Sequence, residues 1–245
     1  MVDIHCHILP GVDDGAENLM QSLEMARLSA ECGVADLVAT SHFRGDGDEP
    51  GTLERFYRQF QLLQNALKRE DIPLRVHLGA EILCVDETVQ LARDRLLPTI
   101  SNTDYVLCEF FFDAPYEYMD RILSGIAGAG YKVVIAHPER YDAIVREPRR
   151  AQRWFHKGYV IQMNKGSVLG AFGGGVQDTA RFLLEEGCVH MIASDAHSPR
   201  RRTTDLSLLR EWLLEHYPKE YYRLLLKENP GRLLQGMDMA PVDAY

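Results

Sequence analysis

The chain has 245 residues, 46% hydrophobic and 26% charged, with 27 Lys and Arg against 36 Asp and Glu for a formal net charge of −9. This is the balance of an ordinary globular protein, and its acidic sign speaks against a general nucleic-acid binder or a protein drawn to anionic membranes. Five cysteines, an odd number without C-x-x-C spacing, speak against a disulfide framework or a zinc knuckle and suit a reducing cytosol; no membrane-length apolar run and no basic-then-apolar leader stands in the sequence. Residues 2–9 read as a buried strand ended by Pro10-Gly11, and residues two apart in a strand share a face, so His5 and His7 present two imidazoles together at its C-terminal end. Leu19, Leu23, Ala26 and Ala30 predict a helix over 18–31, ended by Gly33. An apolar strand over 34–40 delivers Ser41-His42-Phe43, and after a Gly- and Asp-rich loop, 44–51, Thr52 reads as the N-cap of a helix reaching Glu70. The third strand, 74–83, holds His77 inside it and Glu81 near its end; a short helix, 86–97, follows, and the fourth strand, 105–110, carries Glu109. A helix over 116–130 leads to the fifth strand, 131–136, which delivers His137-Pro138-Glu139-Arg140. A helix over 148–157, a sixth strand over 159–163 ending at Asn164, a Gly-rich loop at 170–175 and a helix over 177–186 precede the seventh strand, 189–193, which delivers Ser194-Asp195-Ala196-His197. Two further helices close the chain.

Seven apolar strands alternating with helices imply parallel strands joined by crossovers, and regular spacing without a linker suggests one closed or nearly closed α/β barrel. In such barrels the active site lies at the C-terminal ends of the strands. His5, His7, His42, Glu81, Glu109, His137, Asp195 and His197 all fall at or just beyond such ends, and Asp14 joins them from the loop after the first strand. Five imidazoles and four carboxylates exceed what one zinc ion takes. A mixed set of this size predicts two or three divalent ions sharing a bridging carboxylate, a cluster that activates water and neutralises phosphate oxygens. Oxygen-rich shells suit manganese and iron as well as zinc.

These residues carry a resemblance. His5-x-His7, Asp13-Asp14-Gly15, Thr40-Ser41-His42, Glu81, Glu109, His137-Pro138-Glu139-Arg140 and Ser194-Asp195-x-His197 resemble the motifs of the polymerase and histidinol phosphatase (PHP) superfamily. The opening MVDIHCHILPGVDDGA is most similar to its bacterial protein-tyrosine phosphatase branch, found with capsule and exopolysaccharide genes. The resemblance implies a distorted seven-stranded TIM-like barrel as one domain over residues 1–245, and a centre of two or three metal ions with manganese the first choice. All nine ligand positions are filled: His5, His7, Asp14, His42, Glu81, Glu109, His137, Asp195 and His197. It further implies a cytoplasmic enzyme acting on a phosphotyrosine-bearing tyrosine kinase that drives polysaccharide export, with Arg140 and Arg202 binding phosphate. Arg200 and Arg201 leave the second of these assignments open.

Other residues have plainer readings. His77 reads as a packed or hydrogen-bonded histidine, and His156, His190 and His216 stand outside the site. Asp13 reads as capping its turn while Asp14 binds metal, although the two could exchange roles. Glu139 is expected in a structural salt bridge, Gly173-Gly174-Gly175 in a flexible turn rather than a phosphate cradle, and Arg149, Arg150 and Arg153 on a solvated helix face. Phe110, Phe111, Phe112 and Tyr116 are candidates for a wall against a substrate ring, with core packing the alternative, at least for Phe110. No arginine stands six residues after any cysteine, and no D-x-D-x-[TV] motif closes a strand, so cysteine- and aspartyl-nucleophile phosphatases lack their residues. His42 and His197 are candidate proton donors. Three alternatives remain: a small-molecule phosphatase of the same superfamily acting on a substrate such as histidinol phosphate, a metal-dependent amidohydrolase, and a non-catalytic binding module.

Overall fold

The computed structural model describes residues 1–46 and 51–242, and every strand pair in it is parallel. The strands are β1 (Val2–Cys6), β2 (Asp36–Ala39), β3 (His42–Arg44), β4 (Arg75–Leu78), β5 (Glu81–Leu83), β6 (Tyr105–Glu109), β7 (Lys132–Ala136), β8 (Val160–Asn164) and β9 (Met191–Ala193). The helices are α1 (Leu19–Glu31), α2 (Thr52–Arg69), α3 (Thr88–Arg93), α4 (Tyr116–Gly128), α5 (Asp142–Arg146), α6 (Arg149–His156), α7 (Lys165–Val168), α8 (Gly174–Glu185), α9 (Ser207–His216), α10 (Lys219–Arg223) and α11 (Asn229–Leu234), the last two joined by a π-helical stretch, Leu224–Glu228. The fold is α/β.

The strands form two sheets, β1-β2-β4 and β3-β5-β6-β7-β8-β9. This division corrects two expected strands. Residues 34–40 and 74–83 are each interrupted, at Thr40-Ser41 and at Gly79-Ala80, so seven expected strands appear as nine segments among the described residues. At the first break the Thr40 hydroxyl accepts the Cys6 N–H at 3.0 Å, which takes a backbone donor out of the regular ladder. At the second, Gly79 passes so close to β2 that a Cβ would stand 3.1 Å from Val38 Cγ1. The break leaves His42 and Glu81 as direct register partners at the start of β3 and β5. At and just past its C-terminal end, β1 meets the segment after β9: Asp195 N–H donates to His5 O and His7 N–H to Ala196 O, each at 2.9 Å.

Strand interiors are continuous apolar runs because helices cover the sheets from outside. Ile4, Val38, Leu107, Val134 and Ala193 fill one buried cluster, while Leu37, Val106, Ile135 and Ile161 face the helices. Asn18 caps α1, its side-chain oxygen accepting Gln21 N–H at 3.1 Å. For α2 the expected cap is one residue late: Gly51, at φ 93, holds the cap position and Thr52 is already helical. The expected helix at 86–97 shortens to α3, whose end at Asp94 is followed by Arg95 at φ 59. Part of the expected loop at 44–51, residues 47–50, lies outside the described residues. No helix among the described residues is long and apolar enough to cross a membrane.

His190, just before β9, gives the fold an acid-sensitive point. Its Nδ1 accepts Ile161 N–H at 3.0 Å, its ring lies 4.8 Å from that of Phe155, and burial pushes its pKa from 6.5 down to about 4. Between those two values the unfolded chain binds a proton that the folded chain refuses, so stability falls as pH drops through that window. His190→Asn keeps an acceptor and removes the titration. It is expected to lose about 2 kcal/mol less stability than the parent between pH 7 and pH 5. Urea unfolding at both pH values measures this, and equal losses would refute it.

Candidate metal centre

The site is built from strand ends outward. His5, the penultimate residue of β1, is fully buried; its Nδ1–H donates to Gln162 Oε1 at 2.8 Å. The direction follows from Gln162, whose Nε2 donates to Met163 O at 2.7 Å and Asn164 Oδ1 at 3.1 Å, leaving Oε1 to accept. His7, one residue past the strand, gives its Nδ1–H to Asp13 Oδ2 at 2.8 Å. His197 gives its Nδ1–H to Asp195 O at 3.1 Å. In all three rings Nδ1 is held by a protein oxygen and Nε2 is turned inward, the orientation in which an imidazole can bind a metal. Asp13 and Asp14 differ in their surroundings. Asp13 is tied to His7, to Gly15 N–H at 3.0 Å and to His42 N–H at 3.0 Å, while Asp14 is 66% exposed with Oδ1 3.3 Å from His42 Nε2 and 3.4 Å from His197 Nε2. Gly15 makes this loop geometry feasible, since a Cβ there would stand 2.1 Å from His7 O.

Glu81 is the hub. Its oxygens lie 3.1 Å from His5 Nε2, 3.2 Å from His7 Nε2, 2.8 Å from His137 Nε2 and 3.2 Å from His42 Nδ1. Glu109 stands 2.9 Å from His42 Nδ1, and Asp195 Oδ1 lies 3.5 and 3.6 Å from His5 and His7. Among the described residues, His nitrogens and carboxylate oxygens within 4.8 Å of one another form three overlapping groups: His7, Asp14, His42 and His197; His5, His7, Glu81 and Asp195; His42, Glu81 and Glu109. His137 stands outside these groups but reaches Glu81, and its Nδ1 is buried without a hydrogen-bond partner among the described residues, as is Asp195 Oδ1.

The electrostatics fit divalent cations. Burial alone would depress the His5 imidazolium, yet Glu81 and Asp195 overcome it and raise the group to about 8. His7 is likewise driven well up against burial by Asp13 and Glu81. Burial would raise Glu81, but His5 and His137 hold its carboxyl well below the usual range. His197 goes the other way, pushed down to about 4 by burial, His7 and Arg202. The carboxylates therefore demand positive charge at this spot, and a divalent ion meets that demand on a donor set of imidazole nitrogens and carboxylate oxygens.

Two arginines converge on Asp195. Arg140 Nη1 lies 3.3 Å from its Oδ2, and the Arg202 guanidinium pairs with the same oxygen while Arg202 Nε donates to Asp195 O at 3.2 Å. Arg200 and Arg201 stay exposed on the rim of a cleft of ≈ 660 Å³ that runs from Asp14 and His197 to Met20 and Glu24. His137, Asp195 and Arg202 all have left-handed backbone, at φ 35, 48 and 46, among seven non-glycine residues of that kind in the described chain. Such strain clusters where a site fixes side-chain direction.

Several expectations need correction. Glu139 makes no salt bridge among the described residues: it is fully buried, accepts Asn164 N–H at 2.9 Å and Ser167 Oγ–H at 2.5 Å, and burial raises its pKa. Of the expected aromatic wall, Phe110 is core and Tyr116 stacks on Trp154 at 5.0 Å; only Phe111 and Phe112, 61% and 44% exposed, remain open. Gly174 and Gly175 belong to the first turn of α8, not to the loop. Arg150 and Arg153 pair with Glu147. His77 is hydrogen-bonded as expected, to Asp36 Oδ1 at 2.9 Å. Sequence reading missed Gln162, Asn164 and Phe172. The polar pair at the end of an otherwise apolar strand was a signal for the first two.

All five cysteines are free and buried, and burial with nearby Asp3 and Asp195 pushes the Cys6 thiol well above its usual value. Cys6→Ser is expected to keep most of the parent turnover and its sensitivity to vanadate. Loss of turnover with metal still bound would bring thiolate chemistry back.

A family model for capsular polysaccharide synthesis proteins, CpsB/CapC, matches residues 1–235. Tyrosine-protein phosphatase YwqE of Bacillus subtilis is 37% identical over 204 residues, 82% of this chain and 79% of that protein. The fold superposes at a TM-score of 0.87, with 34% identity, on a chain from the crystal structures of YwqE from Bacillus subtilis and CpsB from Streptococcus pneumoniae, which are metal-dependent tyrosine phosphatases; 100% of this chain and 99% of that one are covered. Dihydropyrimidinase from Brevibacillus agri shares the fold alone, with a TM-score of 0.59, 11% identity and coverage of 99% of this chain and 73% of that one. With nearly its whole length matched, the chain belongs to the CpsB/CapC family.

Proposed function

We propose that this chain is a metal-dependent phosphatase that hydrolyses phosphotyrosine on a bacterial tyrosine kinase regulating capsular or exopolysaccharide synthesis and export. One observation carries the reading: His and carboxylate side chains at or beside β1, β3, β5, β6 and β9 and from one loop meet in overlapping groups, His137 after β7 reaches Glu81 among them, and Arg140 and Arg202 converge on Asp195. The activity named for YwqE and CpsB supports it. On this reading residues 1–245 are one domain, the strand segments make a distorted seven-stranded barrel, and the protein works in the cytoplasm on a protein substrate rather than on nucleic acid or in a membrane.

His5, His7, Asp14, His42, Glu81, Glu109, His137, Asp195 and His197 would hold two or three divalent ions, manganese first, iron or zinc next. When bound, such ions supply an activated water and neutralise charge on phosphoryl oxygens. The chain does the rest. Arg140 and Arg202 offer paired N–H donors to phosphoryl oxygens, a contact that tightens as charge builds in the transition state. Gln162 and Asp13 hold Nδ1 of His5 and His7, so that Nε2 is turned inward. His42 and His197, at the mouth of the cluster, are the candidate proton donors to the leaving tyrosine oxygen, a role that metal ligation limits. Phe111 and Phe112 offer apolar surface to its ring.

The test compares rates of the metal-loaded protein on a phosphotyrosine peptide, a phosphoserine peptide and histidinol phosphate. Preference for phosphotyrosine, abolished by a chelator, is the expected result. Equal or faster turnover of histidinol phosphate would overturn the substrate class.

A further inference from the structure

The Gly-rich loop and the aromatic run after β6 have no part in holding metal, yet both reach Arg140. We propose that Phe112 and Phe172 are positioning residues that fix the Arg140 guanidinium edge-on to the phosphate; the inference rests on assigning Arg140 to phosphate binding. The Arg140 Cζ lies 4.4 Å from the Phe112 ring centroid and 4.3 Å from that of Phe172, so rings from two loops bracket one cation. A guanidinium is weakly hydrated on its faces and carries its N–H donors in its plane. Stacking on rings therefore takes nothing from its donors, and it narrows the directions in which they point. Nη1 is already 3.3 Å from Asp195 Oδ2, at the edge of the cluster, and the side chain is only 16% exposed.

Both rings are themselves held. Asp142 N–H donates to Phe112 O at 2.8 Å, and the Phe112 ring lies 6.3 Å from that of Tyr141 and 6.1 Å from that of His137. Phe172 is seated on Gly166 in α7, where an added Cβ would come within 2.8 Å of Phe172 Cε2. Ala171 N–H donates to Gly166 O at 2.8 Å, and Gly170 and Gly173, at φ 81 and 92, let the chain turn on either side of the ring. The Gly-rich segment thus delivers an aromatic ring to an arginine rather than backbone N–H groups to an anion. A free arginine samples many rotamers, and fixing one beforehand removes that cost from substrate binding and from the reaction.

The experiment uses metal-loaded Phe172→Leu and Phe112→Leu, each made in the parent and in Arg140→Ala. Three quantities are measured: kcat and KM on p-nitrophenyl phosphate, affinity for inorganic phosphate by calorimetry, and metal content with Tm. Each leucine variant is expected to lose about tenfold in kcat/KM, carried mainly by kcat, and to bind phosphate several-fold more weakly at parent metal content. Phe172→Tyr, which keeps the ring, is expected to stay near the parent, and Gly166→Ala, which crowds the ring without touching the cluster, to fall between. In the Arg140→Ala background Phe172→Leu is expected to cost nothing further. Parent-like kinetics in both leucine variants, with Arg140→Ala impaired, would overturn the positioning role. Losses that simply multiply in the Arg140→Ala background would overturn it too. A parent-like Arg140→Ala would instead remove the phosphate assignment itself, and the inference with it.

Discussion

His7→Ala is expected to lose bound metal and turnover together, with kcat/KM down on the order of a thousandfold or more, because the activated water and most of the charge neutralisation go with the ions. His7 belongs to two of the three ligand groups, so one substitution opens both. His5→Ala and Asp195→Ala should behave alike. Far-UV circular dichroism should stay native, since His7 lies past the end of β1 and its partner Asp13 is in a loop. Asp14→Ala, at the exposed edge, should show a milder loss that added metal partly restores. Elemental analysis and steady-state kinetics on the same samples decide the matter, and full metal content with normal rates in the His5, His7 and Asp195 variants would sink the assignment.

Arg140→Ala is expected to keep its metal and lose about a hundredfold in kcat/KM, the scale seen when a donor aimed at transition-state charge is removed. Arg140→Lys should recover only part, because an ammonium cannot pair bidentately with two phosphoryl oxygens. Arg202→Ala should lose less, its guanidinium being 33% exposed against 16% for Arg140. The competing account makes Arg140 a structural partner of a carboxylate. Glu139 is not that partner, being committed to Asn164 and Ser167, so the account falls on Asp195. It predicts normal kinetics, or metal lost along with activity. Parent-like turnover by Arg140→Ala would take it out of the site.

Much of this site was legible before the fold, for a physical reason. Parallel strands covered by helices are apolar throughout, so a His or carboxylate at such a strand's end stands out, as His42, Glu81, Glu109 and Asp195 do. Side-chain alternation was enough to pair His5 with His7. What sequence did not yield were contacts made by residues distant along the chain: Gln162 fixing the His5 tautomer, Asn164 donating to Asp195, and Phe172 against Arg140. The break at Gly79-Ala80 was invisible because Leu78, Gly79 and Ala80 carry no polar signal; it falls where Gly79 passes close to Val38. Glu139 was misread because a carboxylate beside an arginine suggests an ion pair, whereas its backbone turn sends it inward to Asn164 and Ser167.

The left-handed backbone at His137, Asp195 and Arg202 sets selection for heat resistance against selection for catalysis. Each such conformation costs a non-glycine residue on the order of 1 kcal/mol, and glycine or asparagine would relieve it. A library varied at these three positions and selected only for surviving heat should therefore fill with glycine and asparagine and fall silent as an enzyme.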